Sequence, residues 1–489
     1  MKKIGIVLIF IAAFFQTKAQ EKPIQEIEME LRADIEDEHI LLPIDSTQLL
    51  LMNLKTKAFS RKSSIAFQRL DEDLKIIWTS EFEIAKNYEI VKYYLDSDFL
   101  HVLLKENDEK EISVLKINVK SGEFLVFESS LLTNSEISFF GHVQNKYIFA
   151  GEYNDKPVAE IHKIIDKTAK IFPQIYGNHQ EISSLEIDNM DIYFFVKDQK
   201  KCQMTSFKFD IDGKLIAKNP IGDKNKVILN VKMVKNTSQN SYFTGNYATY
   251  CSEFSTGFYI FNKNVLEKIH YYPFNDFNNY YAHLPEKRQE RLKSRIQNRK
   301  TKGKQNVTRA RVNVQEPRLI QNEIVMLAEI YYPEYKNNAF SSRSLLRLGE
   351  NFTSPKEFNN YRYSNAVICT FDSLGKLTWD YSISMSGLES NALSQKAHLT
   401  FENDRLLFAY PKESKIVLKS LKKNDKPIEM PPVNIKREQT GNISDIKVDM
   451  FYWFGKHFVS YGYKTARIGT EFNQKEFFYI RKLDFPDEE

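Results

Sequence analysis

"FDSLGKLTW", residues Phe371–Trp379, sets Asp372, Gly375 and Lys376 between two apolar segments. Asp closes tight turns by accepting hydrogen bonds from the backbone ahead of it, and Gly tolerates the positive φ that such turns need. With an alternating apolar run on each side, the phrase predicts a β-hairpin. Its echoes run through the chain: "RLDEDLKIIW" at 69–78, "INVKSGEFLVF" at 117–127 and "FDIDGKLIA" at 209–217, with weaker versions at 164–172 and 261–269. A second phrase comes before each hairpin, a polar turn followed by a short strand of aromatic and small residues. Examples are "DFLHVLLKE" (98–106), "NKYIFAGEY" (145–153), "MDIYFFVKD" (190–198), "NEIVMLAEIYY" (322–332) and "GKHFVSYGY" (455–463).

One more apolar strand precedes each of these, so the repeating unit has four strands, named a to d below. Units begin near Tyr88, Ser135, Gln180 and Lys226, and again near Gln395 and Asn442, at a spacing of about 45 residues. Four strands at a period of about 40–50 residues mark a β-propeller. A parallel β-helix needs a much shorter period, and a sandwich does not repeat. The fold class is therefore all-β, one propeller of eight four-stranded blades, with seven as the alternative count. Asp372–Gly375 is then a turn between strands c and d. The first unit runs from Glu38 to about Phe82, and the last, Ser444 to Phe485, shows only three strands. "IQEIEMELR" (24–32) alternates with period two and is the candidate for the missing fourth strand. Composition agrees, because 26 Tyr and 36 Phe favour strands.

The blade phrase resembles those of quinoprotein-like, WD-like and outer-membrane-assembly propellers, which carry an aromatic residue near the fourth strand. "TFDSLGKLTW" is also similar to the Asp box of sialidase-type propellers, with one extra residue between Asp372 and Gly375 and Thr in place of Ser. Asp boxes are structural, so that likeness implies fold and no glycoside chemistry.

Met1-Lys2-Lys3, the apolar run Ile4–Phe15 and the small-residue site Thr17-Lys18-Ala19 predict a signal peptide over 1–19, leaving the propeller over 20–489. The run is too short to span a bilayer, and no later stretch approaches eighteen apolar residues, so no transmembrane segment is expected in the mature chain. The leader and its Lys/Ile/Phe/Asn/Tyr-rich continuation resemble exported proteins of Gram-negative bacteria, the Bacteroidota in particular. Periplasmic or secreted location follows from that reading, and export argues against nucleic acid as a partner. Three cysteines are too few for a disulfide scaffold. Cys369 alternates inward and reads as a buried thiol, whereas the pattern leaves open whether Cys202 and Cys251 are bridged.

Catalytic signatures are missing. The sequence has no G-x-S-x-G elbow, phosphate-binding glycine loop, H-E-x-x-H or Cys-x-x-Cys. Its nine histidines show no pair at metal-ligand spacing. "FDIDG" (209–213) begins as a calcium loop might, but further acidic residues are lacking and a solvated turn is favoured. Arg343, Arg362 and Arg405 could bind a carboxylate, though nothing in their spacing singles them out. No catalytic residue, metal or cofactor is assigned.

Two insertions interrupt the repeat, at 273–314 and 333–361. Pro285–Arg318 holds twelve Lys or Arg and three Asp or Glu, a net of +9 in a chain whose total is +5. Pro285, Glu286 and Glu290 suit a helix start, and Leu284, Leu292 and Ile296 form a narrow apolar stripe. The segment reads either as a solvated loop or as a dock for an anionic envelope component or acidic protein, through Lys287, Arg288, Arg291, Lys293, Arg295 and Arg299. Connections d–a and b–c emerge on one face of a propeller, so both insertions are expected there, beside Glu152, Tyr153, Asn246, Tyr247, Glu329 and Tyr331 at the ends of b strands. Those tyrosines equally suit packing between blades. The function expected is an exported, non-catalytic binding scaffold of the cell envelope. The alternative is a propeller hydrolase or lyase acting on polysaccharide.

Overall fold

In a computed structural model of the chain, strands hydrogen-bond in sheets four positions wide, in chain order in all but the last. In three of these sheets one position is split into two short strands. The structure describes residues 25–485 apart from 33–34, 58–59, 108, 224, 235–240, 266–267, 305–306, 337–356, 403–404, 424, 436–441 and 468–473. The leader, the middle of the second insertion and Arg343 lie outside the described residues. Blade 1 comprises Ile35–Asp45, Gln48–Lys57, Lys62–Leu70 and Ile76–Ala85; blade 2, Tyr88–Leu95, Phe99–Glu106, Glu111–Asn118 and Phe124–Ser130. Blades 3 and 4 begin at Glu136 and Gln180, and blade 5 at Val227, where the inner strand is split in two. Blade 6 is built on the long strands Glu323–Lys336, Glu357–Phe371 and Leu377–Ser390, and blade 7 begins at His398. Every pairing in these blades is antiparallel. The blade count is eight.

Each blade has two apolar faces, and that property makes the ring. In strand b of blade 4, Phe194 points to blade 3, its ring 5.1 Å from Phe172, while the next residue, Phe195, points to blade 5 and lies 5.0 Å from Phe243. Both are fully buried, each contributing about 1.5–3 kcal/mol of transfer free energy. The same alternation holds around the molecule. Eight groups of buried side chains each span one junction between neighbouring blades, and the last joins Trp453, Phe478 and Ile480 of blade 8 to Leu41, Leu49 and Leu70 of blade 1. A single blade in water would leave both faces wet.

The opening phrase is the c–d turn of blade 6. Asp372 Oδ1 accepts the backbone N–H groups of Leu374 and Lys376 at 2.9 and 2.8 Å, and Gly375 adopts φ +76°. Asp210 and Gly213 repeat the turn in blade 4, as do Asp71 and Leu74 in blade 1. In blade 2 Asn118 closes a turn one residue longer, accepting from Lys120 and Ser121, with Gly122 at φ +77°. Gly122 has a second reason to lack a side chain, because a Cβ there would sit 2.8 Å from the Trp78 ring of blade 1. In "FDIDG" the carboxylates are used by the turn and by Lys146, whose Nζ lies 2.7 Å from Asp212.

Blade 8 takes three strands from the C-terminal end, Asn442–Phe454, His457–Arg467 and Gln474–Asp484, and its fourth, Glu26–Glu30, from the N-terminal end. Glu26 pairs with Arg481 and Glu30 with Phe477. This strand carries charge into the interior. Arg481 is 1% exposed and donates Nε to Glu26 at 2.8 Å, and buried Lys464 reaches both Glu26 and Glu28. Removing one partner of a buried ion pair leaves the other uncompensated, at a cost of about 3–5 kcal/mol. Glu26→Ala is therefore expected to lower stability by about that much in denaturant unfolding, whereas Glu30→Ala, which breaks an exposed pair with Lys475, should cost no more than about 1 kcal/mol. Equal effects would contradict the closure by this ion pair.

His39 and His398 are among the histidines kept neutral by the fold. His39 stacks on Phe478 at 4.1 Å, and burial, with Lys55 nearby, pushes it down to about 4; burial pushes His398 down to about 3, aided by Arg318 and Lys396. In the unfolded chain each takes up a proton near pH 6.5, so the native state is penalised as pH falls below that value. Thermal stability should drop steadily from pH 6.5 toward pH 4, and His398→Gln should flatten the slope.

Candidate functional site

The a–b and c–d turns form one face of the ring (the turn face), and the b–c and d–a segments form the other (the connection face). On the turn face, blades 2 to 5 surround a cavity of about 840 Å³ lined by Tyr94, Asp96, Lys116, His142, Asp188 and Lys263, among others. Its polar centre is Asp96, His101 and His142, each presenting one ligand atom within 4.8 Å of the other two. Asp96 follows strand a of blade 2. Its Oδ1 accepts the N–H groups of Asp98 and Phe99 at 3.0 and 2.8 Å, which closes the turn and aims Oδ2 at the histidines. His101 Nε2 lies 3.1 Å from that oxygen and His142 Nδ1 3.6 Å from it. The two imidazole rings stack at 4.2 Å, and His101 Nδ1 meets the Tyr147 hydroxyl at 3.0 Å.

Burial by itself would raise the Asp96 carboxyl, but the N–H groups of Asp98 and Phe99 and the His101 ring outweigh it and hold it below the usual range. Burial and the adjacent His142 push His101 down to about 4 against the pull of Asp96, and burial and Lys116 lower His142. Two neutral imidazoles beside one carboxylate make a nitrogen- and oxygen-donor set of the kind that holds first-row transition metals. At the rim, Asp188 of blade 4 accepts Ser241 Oγ at 2.9 Å and pairs with Lys263, both from blade 5.

Sequence reasoning passed over this group because His101 and His142 are 41 residues apart. The available signal was the repeat itself. That separation is close to one blade period, so polar residues in adjacent units at the turn end of their strands come together.

The residues proposed from sequence are distributed differently. Glu152 is exposed and Tyr153 is 39% exposed at the end of their b strand, while Tyr331 is half-buried. Asn246, Tyr247 and Glu329 are inside the protein. Glu329 is a fastener: its carboxylate accepts the N–H groups of Lys396 and Ala397 at 2.7 and 2.6 Å and the amide of Gln315 at 2.6 Å, tying blade 6 to the segment entering blade 7. Burial pushes it up to about 7. Glu160 does the same for Leu132 and Thr133, and Asp380 for Asn278 and Asn279. Arg362 pairs with Glu334 toward the connection face, whereas Arg405 starts strand b of blade 7 at the turn face, so these two do not converge.

Lys287, Arg288, Arg291, Lys293, Arg295 and Arg299 are all exposed on helix α1, Glu286–Thr301, in which no residue is buried. Leu292, Ile296 and Gln289 are half-buried and form its seat. The insertion leaves blade 5 and enters blade 6 on the connection face, but in between it climbs the outer edge of blade 6. Asn278 and Asn279 donate to Asp380, His283 Nδ1 is 2.9 Å from Ser382 Oγ, and Glu286 lies 3.7 Å from Lys426 in the c–d segment of blade 7. The reason is the outer strand of blade 6, whose open edge needs cover; Asn279 Nδ2 donates to the Asp380 carbonyl there. The ends of the second insertion continue the blade 6 hairpin, with Pro333 opposite Tyr361 and Lys336 opposite Glu357. Between blade 5 and the C-terminal half of α1 lies a cavity of about 780 Å³, lined by Lys226, Tyr250, Asp276, Ile296, Lys300 and Lys304, among others. Nearby, Cys202 and Cys251, on the b–c segments of blades 4 and 5, form a disulfide with a Cα separation of 5.5 Å. Cys369 is a buried free thiol. Among the described residues, no helix is long and apolar enough to cross a membrane.

No protein-family model matches the chain, and no curated protein matches it. Among solved structures it is similar to a prolyl endopeptidase (10% identity, TM-score 0.39, 88% of this chain and 53% of that one). It is also similar to the Pyrococcus horikoshii acylaminoacyl peptidase (8%, 0.38, 88% and 58%) and to the polysaccharide lyase Uly1 (6%, 0.36, 81% and 90%). The chain spans little more than half the length of the two peptidases. At these identities and scores, no activity is transferred from them.

The placement of Glu329 makes a distinct prediction. Glu329→Ala strands two backbone N–H groups and an amide, each unsatisfied buried donor costing about 1–3 kcal/mol. The variant should lose at least about 2 kcal/mol of stability in denaturant unfolding. An unchanged midpoint would return Glu329 to the list of surface contacts.

Proposed function

We propose that this protein is an exported, non-catalytic binding scaffold of the cell envelope that engages an anionic envelope component or an acidic protein through α1 and the adjoining connection face. The observation that carries the reading is the cavity beside α1, where Lys226, Lys300 and Lys304 stand around an opening of about 780 Å³ next to a helix with no buried residue. A segment of net +9 held by a half-buried seat presents charge without committing it to the core. The N-terminal leader supports export to the periplasm or beyond, as does the Cys202–Cys251 disulfide, a bond that persists in oxidising compartments. A second reading, a propeller hydrolase or lyase acting on polysaccharide, is favoured by the polar cavity on the turn face. Turnover of an acidic polysaccharide by the wild type, beyond retention alone, would support it.

Exposed cations attract a polyanion over roughly one Debye length, about 8 Å at physiological salt, so binding should weaken steeply as salt rises. Wild-type protein is expected to be retained on heparin or anionic vesicles at low salt and released at high salt. Replacing Arg288, Arg291, Lys293, Arg295 and Arg299 with Gln should sharply weaken retention, the cavity lysines being kept, and leave the melting temperature nearly unchanged. Equal retention of both proteins would leave the helix as cover for the blade 6 edge and nothing more.

A further inference from the structure

We propose that Asp96, His101 and His142 form a binding site for one divalent transition-metal ion of the zinc class, at the wall of the turn-face cavity. Three features of the geometry carry this. First, the donors converge from two blades: the carboxylate oxygen and the two imidazoles stand within 4.8 Å of each other, at 3.1 and 3.6 Å from oxygen to nitrogen. Zinc–ligand bonds of about 2.0–2.2 Å span such separations with small adjustments.

Second, the surrounding groups orient the donors as the outer shell of a metal site does. Asp96 commits Oδ1 to two backbone N–H groups and keeps Oδ2 for the histidines. Tyr147, itself buried, stands 3.0 Å from His101 Nδ1. With the Nδ1–H donated to that hydroxyl, the Nε2 lone pair points at Asp96 Oδ2, where an ion would sit between them.

Third, hydrogen bonds alone leave the group poorly satisfied. One carboxylate oxygen serves two imidazoles, and the second of them, through His142 Nδ1, stands 3.6 Å away, beyond hydrogen-bond reach. A bound cation would replace these marginal contacts. Three protein ligands leave a tetrahedral ion one open position, and two of the three, Asp96 and His142, line the cavity of about 840 Å³. Water would complete the coordination there, with Lys116 on the cavity wall and Lys263 held by Asp188. The site is on the opposite face from the α1 cavity, so it stands or falls independently of the anionic-partner reading.

The test uses the full chain, stripped with chelator and carrying no affinity tag, titrated with Co²⁺ and Zn²⁺. One equivalent of Co²⁺ with visible d–d absorption is expected, displaced by Zn²⁺, together with a Zn²⁺-dependent rise in melting temperature. His142→Gln and Asp96→Asn should each weaken binding at least tenfold. Tyr147→Phe, which touches only the positioning group, should weaken it by roughly 10–100-fold while keeping the absorption. The variant lacking the five helix cations should bind metal as the wild type does. Wild-type protein that binds neither ion would overturn the site and leave a hydrogen-bonded histidine cluster. So would binding undiminished in both ligand variants.

Discussion

A propeller blade with two apolar faces cannot stand alone, and this one constraint organises the molecule. Every b strand is buried on both sides, so each blade requires two neighbours, and the requirement ends only when the last blade meets the first. That closure is made by Glu26–Glu30 against Gln474–Asp484, and it brings with it the buried Arg481 and Lys464. An ion pair in this position specifies register, since a slip of one residue would turn Glu26 and Glu28 away from their partners. The apolar alternation of Ile27 and Met29, packed against blades 8 and 1, supplies the affinity.

Closing a ring from similar sheets leaves a second difficulty, the segments that pass from one blade to the next. Their backbone groups run beside a packed core with few partners. Glu160, Glu329 and Asp380 solve it alike: a buried carboxylate from one blade accepts consecutive backbone N–H groups of such a segment. The donors outweigh the cost of burial at Glu160 and offset part of it at Glu329 and Asp380, whose carboxyls stay raised. The insertion between blades 5 and 6 travels to the outer edge of blade 6 and leaves its helix without a buried residue.

The turn face differs in kind. Its turns are short, three of them share one Asp-closed geometry, and the ends of inner strands come together around the cavity of blades 2 to 5. Polar groups at these ends are held by the strands themselves, which gives Asp96, His101 and His142 a fixed arrangement. The two faces thus offer different resources: exposed charge beside one, positioned donors on the other.

Much of this was legible in the residues. The period of the hairpin phrase, the three-strand final unit and the alternation in Ile24–Arg32 led to eight blades and to the closing strand, because turn chemistry and period-two burial are local properties. "FDSLGKLTW" announces its turn since Asp372 and Gly375 act on atoms within four residues. The charge of Pro285–Arg318 and its weak apolar stripe were likewise visible, and they became an exposed helix. What sequence could not place was anything decided by contacts between units. Glu329 reads as a surface carboxylate at a strand end, and only its neighbours Gln315, Lys396 and Ala397 make it a buried fastener. His101 and His142 read as scattered histidines until adjacent blades set them ring to ring. The basic helix was expected on the connection face, and the open edge of blade 6 drew it outward. A chain repeats its blades by local rules, but the distance between a residue and its counterpart one blade away is set by how the blades pack, and that is fixed only when the ring closes.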